Sequence, residues 1–524
     1  MSQRRAALAV LAAVLVLAAC GRAPAPESSL LRRGNGPEPD SLDPQLARTD
    51  SAAAILRDVY EGLATLDRDA VPRPGVAERW QASADGLTYT FTLRASARWS
   101  NGAPLTAADF VASWRRLVDP ATGSQYADVL KPVAGAAAII AGRAPASTLG
   151  VAAPDPHTLL VTLAAPTPYF PGLVAHWSTF PTWAGRAPGT AGAAVSNGAY
   201  ALEEWVVGSH VAARRNRAYW NDAATHIERV RYLHIADAND EYARYRAGAL
   251  DCTYTLPQQP LARLLAMHGA EIHRGPQLGV YYYGFNLARA PFRDAPGLRR
   301  ALAMSIDRER LVASVTGLGE LPAYSWVPPG VADYGTQRFA WAGETPEARL
   351  AEARALYAAA GYSPQHPLKL ELRFPSGATH ERIAIAVAAM WREALGVETT
   401  LVGEEFKSLL QTIERGETEV FRSSWIGDYN DAWTFAEVLG GGFGINLPRY
   451  RSAAYDGWLA RAAAAADPAV RRAALESAER QLLEDVPLVP LYFYVNKHLV
   501  APRVRGWYDN VMNVVYSKDL ELAP

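Results

Sequence analysis

The chain has very little cysteine and no strong excess of charge. Only Cys20 and Cys252 occur among 524 residues, so a disulfide framework and a zinc site of the Cys/His type are excluded by count. The formal net charge is −1, and no run of lysine and arginine is longer than two residues. This balance argues against a nucleic-acid partner and against a polybasic membrane patch.

The sequence also lacks the common enzyme motifs, including G-x-S-x-G, the Walker A loop, H-E-x-x-H and a complete G-x-G-x-x-G. The glycine-rich segments at 34–39 and 440–444 are predicted turns, because neither lies between a strand and a helix. The acidic DAND segment (237–240) lacks the glycine and the final glutamate of a calcium loop. We therefore expect no enzyme activity, no cofactor and no metal site, although a glycosidase would need only two carboxylates.

The N-terminus carries a targeting signal. Two arginines precede an apolar run at 6–19, which has the length of a signal peptide core and is too short to span a bilayer. The run ends in LAAC, which resembles a bacterial lipoprotein signal, so Cys20 is the predicted lipidation site. Residues 1–19 are the predicted signal peptide and 20–30 a flexible tether. An ordinary secretory peptide cleaved nearby is the alternative.

The remaining chain is too long for one hydrophobic core, so two or three lobes are expected. Helix and strand patterns alternate from about 230 to 500, which favours an α/β construction. The strand-rich segment 62–185 is a predicted insert.

Several elements carry clear local signals. Tyr89, Phe91 and Leu93 alternate with threonines, which predicts a half-buried strand. Thr106 and Asp109 have the spacing of a capping box at a helix start. Further helices are predicted at 345–361, 380–396 and 467–485, and further strands at 155–163 and 199–214.

One short segment, SSWIGDYNDAWTF (423–435), raises a chemical question. It places the carboxylate of Asp428 among Trp425, Tyr429 and Trp433. An ionised carboxylate among aromatic rings is costly unless a positive charge meets it. Either Asp428 caps a helix that begins near Asn430, or it receives a cation that the protein does not itself supply.

Seven segments, in this order, resemble the OppA-like oligopeptide-binding lipoproteins of bacterial ABC importers, in the peptide- and nickel-binding superfamily (family 5). The segments are SLDP (41–44), YEGL (60–63), PGVAERW (74–80), 97–120, 195–221, 281–312 and LLEDVPLVPLYFY (482–494). The resemblance covers the chain from about residue 30 to 520.

The resemblance implies an α/β, bilobed periplasmic-binding-protein fold (type II, cluster C) with an extra inserted domain and a two-crossing hinge. The ligand would lie between the lobes. The implied division is lobe I at 31–61, 186–282 and 481–524, the inserted domain at 62–185, and lobe II at 283–480.

The resemblance also assigns the N-terminal end of a peptide ligand. Asp428 matches an aspartate that receives the free α-amino group of the peptide, where a charge-assisted bond would satisfy its carboxylate. The backbones of Ser424 and Ile426 match a segment that pairs with the ligand as a neighbouring strand would. The helix-cap alternative for Asp428 remains open at this point.

Other matched positions concern the rest of the ligand. Arg422 matches an arginine that meets the carboxylate of short peptides, and His380 matches a histidine used for the C-terminus of longer ones. Tyr126 matches a ligand-contacting tyrosine, and Trp425 would form the wall of a side-chain pocket. The three tyrosines at 281–283 are expected to divide between core and cleft by strand alternation.

The sequence departs from the family pattern at two places. Arg48 lies where the family often has an acid, with Asp50 nearby, so Arg48 is a candidate ligand contact with a different preference. Ile413 occupies the position of a second carboxylate-binding arginine, for which Arg415 is a possible substitute.

The sequence thus predicts a lipid-anchored monomer at the periplasmic or cell-surface side of a membrane. It would bind oligopeptides and deliver them to the permease and ATPase subunits of an ABC importer. Alternatives are a receptor for murein peptides, glycosides or nickel chelates, a signalling or adhesive lipoprotein without transport, and, from another class, a secreted hydrolase.

Overall fold

A computed structural model describes residues 29–185, 194–257, 259–441 and 446–523 of the protein. The predicted signal peptide and the predicted lipidation site at Cys20 lie outside these residues.

Eighteen strands and fourteen α-helices are described. The strands are β1 Leu30–Gly34, β2 Ala64–Leu66, β3 Pro72–Pro74, β4 Ala77–Ala82, β5 Thr88–Leu93, β6 Val151–Asp155, β7 Thr158–Thr162, β8 Tyr200–Val206, β9 His210–Arg215, β10 Arg229–Leu233, β11 Ile272–Phe285, β12 Leu321–Pro322, β13 Lys369–Pro375, β14 Glu398–Glu404, β15 Val420–Ile426, β16 Leu488–Leu499, β17 Val504–Arg505 and β18 Glu521–Leu522. The helices are α1 Asp50–Val59, α2 Ala107–Val118, α3 Ala136–Ile140, α4 Phe170–Leu173, α5 Ala238–Arg246, α6 Leu261–His268, α7 Pro296–Met304, α8 Arg308–Leu311, α9 Pro346–Ala359, α10 Ala378–Leu395, α11 Phe406–Glu414, α12 Trp433–Ala436, α13 Ala453–Ala464 and α14 Pro468–Asp485.

Several predicted helix starts are confirmed with their capping contacts. The side chains and backbones of Thr106 and Asp109 bond reciprocally at the start of α2, and Thr345 accepts from the third residue of α9. Gly361, just beyond α9, has a φ of 89°, a left-handed conformation that favours glycine and suits a helix end. The expected strand alternation is also confirmed, since Tyr89, Phe91 and Leu93 are buried in β5.

The first lobe contains two four-stranded sheets with a common core. One sheet has the order β1-β10-β9-β8 and the other β4-β5-β7-β6. Phe91 and Tyr232 of these sheets, together with Leu56 of α1 and Trp114 of α2, belong to one buried cluster. The predicted insert therefore supplies a sheet of its own but packs into a shared core.

The second lobe is built on a six-stranded sheet of order β12-β16-β11-β15-β13-β14. Helices α7, α9 and α10 pack on one face, and α11, α13 and α14 on the other. Tyr281 and Tyr283 are buried on the first face and Tyr282 on the second. The expectation that one of them would face the cleft is wrong, because helices cover both faces of the sheet.

Strands β11 and β16 carry the chain between the lobes, as a two-crossing hinge requires. They pair antiparallel from Ile272 to Gly284, with register shifts between Pro276 and Val280 and between Tyr281 and Tyr282. At the first-lobe end, Cys252 forms bridges to β1 and to Val500. The predicted boundary at 282/283 falls inside β11, and the exact domain limits stay predictions.

Candidate functional site

The site is built around an unpaired edge of the second lobe's sheet. Strand β15 pairs with β11 along its whole length, Val420 to Ile426. On its other side, β13 pairs only with Val420 and Phe421. Within the described residues, the edge at 422–426 therefore has no strand partner. Such an edge offers backbone donors and acceptors to an extended peptide.

Asp428 lies just beyond the end of this edge. The backbone N–H of Gly427 donates to the carbonyl of Leu278 at 2.8 Å, which fixes the turn that follows β15. A Cβ atom at Gly427 would lie only 3.1 Å from side-chain atoms of Phe435 and Thr434, so the glycine permits this close packing. The turn places Asp428 on the walls of three adjoining cavities between the lobes.

The carboxylate of Asp428 has no hydrogen-bond or ion-pair partner among the described residues. Its side chain remains in contact with cleft solvent, yet protein surrounds it closely, and this desolvation raises the pKa of Asp428 to about 6. The helix-cap alternative is wrong. Helix α12 begins at Trp433, whose N–H donates to the carboxylate of Asp431 at 2.8 Å, and Asp431 is also ion-paired with Arg471.

One neighbouring cavity, of about 470 Å³, we call the cationic cavity. Its walls include Arg48, Arg57, Tyr126, Ile426 and Asp428, so four residues predicted from the sequence meet here. The charge of Arg48 is already paired, because its guanidinium lies 3.0 Å from the carboxylate of Asp40.

A second cavity, of about 560 Å³, we call the aromatic cavity. It shares Tyr126 and Asp428 with the cationic cavity and adds Trp425, Trp433 and Glu437. Trp425 therefore forms part of a pocket wall. Its buried indole N–H has no partner among the residues that the structure describes, which leaves a donor unsatisfied beside the cavity.

Glu437 is the second carboxylate of the aromatic cavity. It accepts hydrogen bonds from the hydroxyl of Tyr429 at 3.1 Å and from the indole N–H of Trp433 at 2.7 Å. No described cation lies within ion-pair distance of it. Burial, with smaller contributions from Asp428 and Asp431, raises the pKa of Glu437 to about 7.

An aromatic contact joins the two lobes beside Asp428. Tyr169 of the first lobe stacks on Tyr429 of the second, with ring centroids 4.9 Å apart and planes at 2°. The guanidinium of Arg471 lies 5.2 Å from the Tyr169 ring centroid, and the side-chain amide of Asn430 donates to the carbonyl of Ala70 at 3.4 Å. These contacts position the Asp428 turn against the first lobe.

Arg422 and His380 meet at a different place, around Tyr281. The guanidinium of Arg422 lies 4.4 Å from the Tyr281 ring centroid and donates to the hydroxyl of Tyr494 at 3.0 Å. The Nδ1 atom of His380, in the first turn of α10, is 3.2 Å from the Tyr281 hydroxyl. Arg422 has no described carboxylate partner. Burial and the charge of Arg422 lower the pKa of His380 to about 4, so this histidine is neutral at neutral pH.

The second departure from the family pattern, at Ile413, also has a clear structural outcome. Ile413 is buried in the core of the second lobe, where it contributes packing. Arg415 is exposed and pairs with Glu417 at 3.0 Å, so its charge is already matched and it does not substitute for a buried arginine.

Ser424, predicted to contact the ligand through its backbone, lies opposite Tyr281 of β11 in the sheet.

Sequence reasoning missed Arg57 and Glu437. Arg57 lies on α1, where its spacing from apolar neighbours is that of an ordinary amphipathic helix. Glu437 lies nine residues after Asp428 and shares its aromatic surroundings, which was the available signal. Among the described residues, no group of three or more His, Cys, Asp or Glu side chains is placed to hold a metal ion, and no helix combines the length and apolarity needed to cross a membrane.

Comparison with known proteins gives consistent matches over the chain. The family model for bacterial extracellular solute-binding proteins, family 5 (middle), matches residues 71–446. The periplasmic oligopeptide-binding protein OppA of Escherichia coli is 39% identical over 490 residues, which are 92% of this chain and 90% of the relative.

Two solved structures have the same fold. The periplasmic murein tripeptide binding protein MppA, in an unliganded open form, superposes with a TM-score of 0.85 at 38% identity, covering 95% of this chain and 98% of that one. The Haemophilus influenzae OppA complex with the peptide RPPGFSPFR superposes with a TM-score of 0.78 at 35% identity, covering 95% and 100%.

Proposed function

We propose that this chain, which belongs to family 5 of the bacterial extracellular solute-binding proteins, binds oligopeptides between its two lobes and delivers them to an ABC importer. The observation that carries the proposal is the unpaired carboxylate of Asp428 at the end of the open edge of β15. An α-ammonium group would neutralise that carboxylate, and the peptide backbone would pair with residues 422–426.

The site residues divide along such a ligand. Asp428 would hold the amino terminus, and Ser424 and Ile426 would supply backbone partners. Tyr126 and Trp425 would contact the first side chains. Arg422, whose guanidinium lacks a carboxylate, would bind the C-terminus of short peptides, and His380 that of longer ones.

The direct test is calorimetry with trialanine and N-acetyl-trialanine. Free trialanine is expected to bind and the acetylated form to bind poorly, because acetylation removes the cation that Asp428 needs. A ligand held between lobes favours their closure only through its greater affinity for the closed form. Binding should therefore also reduce the radius of gyration in solution scattering and raise the melting temperature. Equal binding of both peptides, or none of either, would contradict the proposal.

The relatives are solute-binding proteins, and we propose that this chain likewise performs no chemistry. It would act as a monomer whose partners are the permease and ATPase subunits of the importer. Assay of peptide mixtures after prolonged incubation should show no cleavage products, whereas release of smaller peptides in proportion to protein concentration would indicate a hydrolase.

We further propose that lipid on Cys20 anchors the mature protein to a membrane, facing the periplasm or the cell exterior. The relative OppA of E. coli is a periplasmic protein by name, and the LAAC segment supports the anchor. Cys20→Ala should abolish labelling by a fatty-acid analogue and release the protein from the membrane fraction. Membrane association that survives this substitution would rule the lipid anchor out.

A second candidate ligand is a murein peptide, favoured by the likeness to MppA. It shares the free amino terminus that Asp428 would bind, so the two candidates differ in the groups beyond the first residue.

A further inference from the structure

Arg57 carries a positive charge that the described protein does not neutralise. It lies on α1 and is partly buried, and its guanidinium is 5.0 Å from the ring centroid of Trp177. Asp50 and Asp58 act on its charge at longer range, but no described carboxylate or other acceptor lies within ion-pair or hydrogen-bond distance of it. Burial lowers the pKa of Arg57, but arginine remains charged under such shifts. An unpaired guanidinium at the wall of a cavity is a binding site for an anion.

The other cations of the cationic cavity are already paired. Arg33 donates to the hydroxyl of Ser517 at 2.9 Å and lies 3.8 Å from Asp58, and Arg48 pairs with Asp40. The two cavity histidines are kept neutral, because burial and the charge of Arg57 lower the pKa of His176 and burial lowers the pKa of His498. Among the described residues of this cavity, Arg57 is thus the one cation without an ion-pair or hydrogen-bond partner.

Arg57 and Asp428 face the same enclosed space from opposite lobes. Both line the cationic cavity and a smaller adjoining cavity of about 170 Å³. Tyr126 lies within the electrostatic reach of both charges: burial and Asp428 raise its pKa, to about 12, and Arg57 opposes the rise. The Tyr126 hydroxyl has no described partner and can donate to a bound anion.

We propose that Arg57 binds a carboxylate that the peptide carries within its first two residues, in addition to its C-terminus. This inference rests on the proposed function, since it takes the α-ammonium to be held by Asp428. Successive residues of an extended peptide are about 3.3 Å apart, so only groups close to the amino terminus share a cavity with it. The carboxylate can be the side chain of an α-linked glutamate or the free α-carboxylate of a γ-linked glutamyl residue.

Calorimetry on matched tripeptides tests the proposal. Glutamate and glutamine are compared at each position of an alanine background, which changes charge with little change in shape. In the wild type, glutamate at position 1 or 2 should bind about tenfold more tightly than glutamine, in line with one charge-assisted hydrogen bond, and position 3 should show little preference. Arg57→Gln should abolish the preference, and Arg57→Lys should keep part of it.

Arg244→Gln is the matched control, because it removes the same charge from an exposed position of α5 that lines none of the three cavities at Asp428. It should preserve the glutamate preference in full. Trialanine binding to Arg57→Gln shows that the variant is folded. If trialanine binds neither protein, the proposed function itself fails. If trialanine binds but a preference for the carboxylate survives Arg57→Gln, the assignment of Arg57 is wrong.

A further pair of peptides distinguishes the two possible sources of the carboxylate. Alanyl-γ-glutamyl-alanine is compared with the analogue in which γ-aminobutyrate replaces the γ-linked glutamate. The subsite is assigned to γ-linked peptides if the γ-glutamyl peptide binds about tenfold more tightly than its γ-aminobutyrate analogue, if Arg57→Gln abolishes this difference, and if α-linked glutamate shows no preference over glutamine. The opposite pattern assigns it to acidic side chains, and a preference in neither series overturns the proposal.

Discussion

The cationic and aromatic cavities meet at Asp428 but differ in the charge that they leave unmatched. On one side, Arg57 is a guanidinium without an anion. On the other, Glu437 is a carboxylate whose described partners, Tyr429 and Trp433, are neutral donors. The walls differ too, since the rings of Trp425 and Trp433 belong to the aromatic cavity alone.

This difference separates what the protein requires of every ligand from what it prefers in some. Asp428 and the open edge of β15 act on the amino terminus and backbone, which all peptides share. The two cavities act on side chains, and the unmatched charges give them opposite preferences. Substitutions at Asp428 should therefore affect all peptides alike, and substitutions at the cavity walls should affect only certain side chains.

The largest effect is expected for Asp428→Asn. The substitution keeps the size of the side chain but leaves a bound ammonium without its counter-charge, a loss of roughly 2–5 kcal/mol for such a pair. Calorimetry should show binding of free peptides weakened on the order of a hundredfold, whatever their side chains. A loss confined to acidic or to basic peptides would contradict the common role of Asp428.

The next largest effects are expected for Arg422→Ala and His380→Ala. Both residues lie outside the cationic and aromatic cavities. Each added residue moves the carboxylate of an extended peptide by about 3.3 Å. Arg422→Ala should weaken the shortest ligands by about tenfold, and His380→Ala those about one residue longer, with one such bond lost in each case. Calorimetry on two to five alanines measures this dependence. Equal losses at every length would show that neither residue reads the C-terminus.

An effect of similar size is expected from pH. The pKa of Asp428 is raised to about 6 in the unliganded protein, and only the ionised form pairs with an ammonium. The affinity for trialanine should fall about tenfold between pH 7 and pH 5, because the ionised fraction falls by that factor. In Asp428→Asn the affinity should be nearly flat over this range. The pKa of His380, near 4, lies below the window, so a slope that persists in the variant would assign the titration to another group.

The same shift predicts a cost in stability. The pKa of Asp428 is higher in the folded protein than its ordinary value of 3.8, so the folded state holds the proton more tightly than the unfolded state does. Stability should therefore fall as pH rises from about 4 to about 6. Without ligand, Asp428→Asn should melt slightly above the wild type at pH 7, since solvent in the cleft screens part of the effect, and at the same temperature at pH 4. Thermal unfolding of both proteins measures the difference.

The elements that carry local signals could be predicted from the sequence. Thr106 with Asp109, and Thr345 before a proline, specify helix starts through contacts within one turn. The role of Asp428 could be stated as two alternatives, and the structure excludes the helix cap because the carboxylate that accepts from the first N–H of α12 belongs to Asp431. What could not be predicted depends on distant contacts. Arg48 is paired and Arg57 is not, and no local pattern distinguishes them.

The burial of all three tyrosines at 281–283 was missed for a related reason. Alternation along a strand fixes which side chains share a face, but it does not say what covers each face. Here α10 covers Tyr281 and Tyr283. Trp326 packs edge-on against Tyr282, with ring centroids 5.1 Å apart. The cleft lies instead along the exposed edge of the neighbouring strand β15, a property of sheet order that no single segment encodes.

The smallest effect is expected for Glu437→Gln, and it bears directly on the contrast between the cavities. A lysine side chain has an apolar stem that suits the rings of Trp425 and Trp433 and an ammonium that would meet Glu437. In trialanine scanned with lysine, at least one position should bind a few-fold more tightly than its norleucine counterpart. The gain is modest because Glu437, with its raised pKa, is only partly ionised near neutral pH. Its pKa is raised to about 7, so the lysine preference should grow from pH 6 to pH 8 as the carboxyl ionises. Glu437→Gln should remove both the preference and its pH dependence.

Asp128→Asn is the matched control, because that carboxylate lines the same cavity but is exposed and close to Lys131, so solvent screens its charge. A lysine preference that is absent in the wild type would show that the aromatic cavity selects by shape and not by charge, and one equally reduced by both variants would show that Glu437 is not its specific partner.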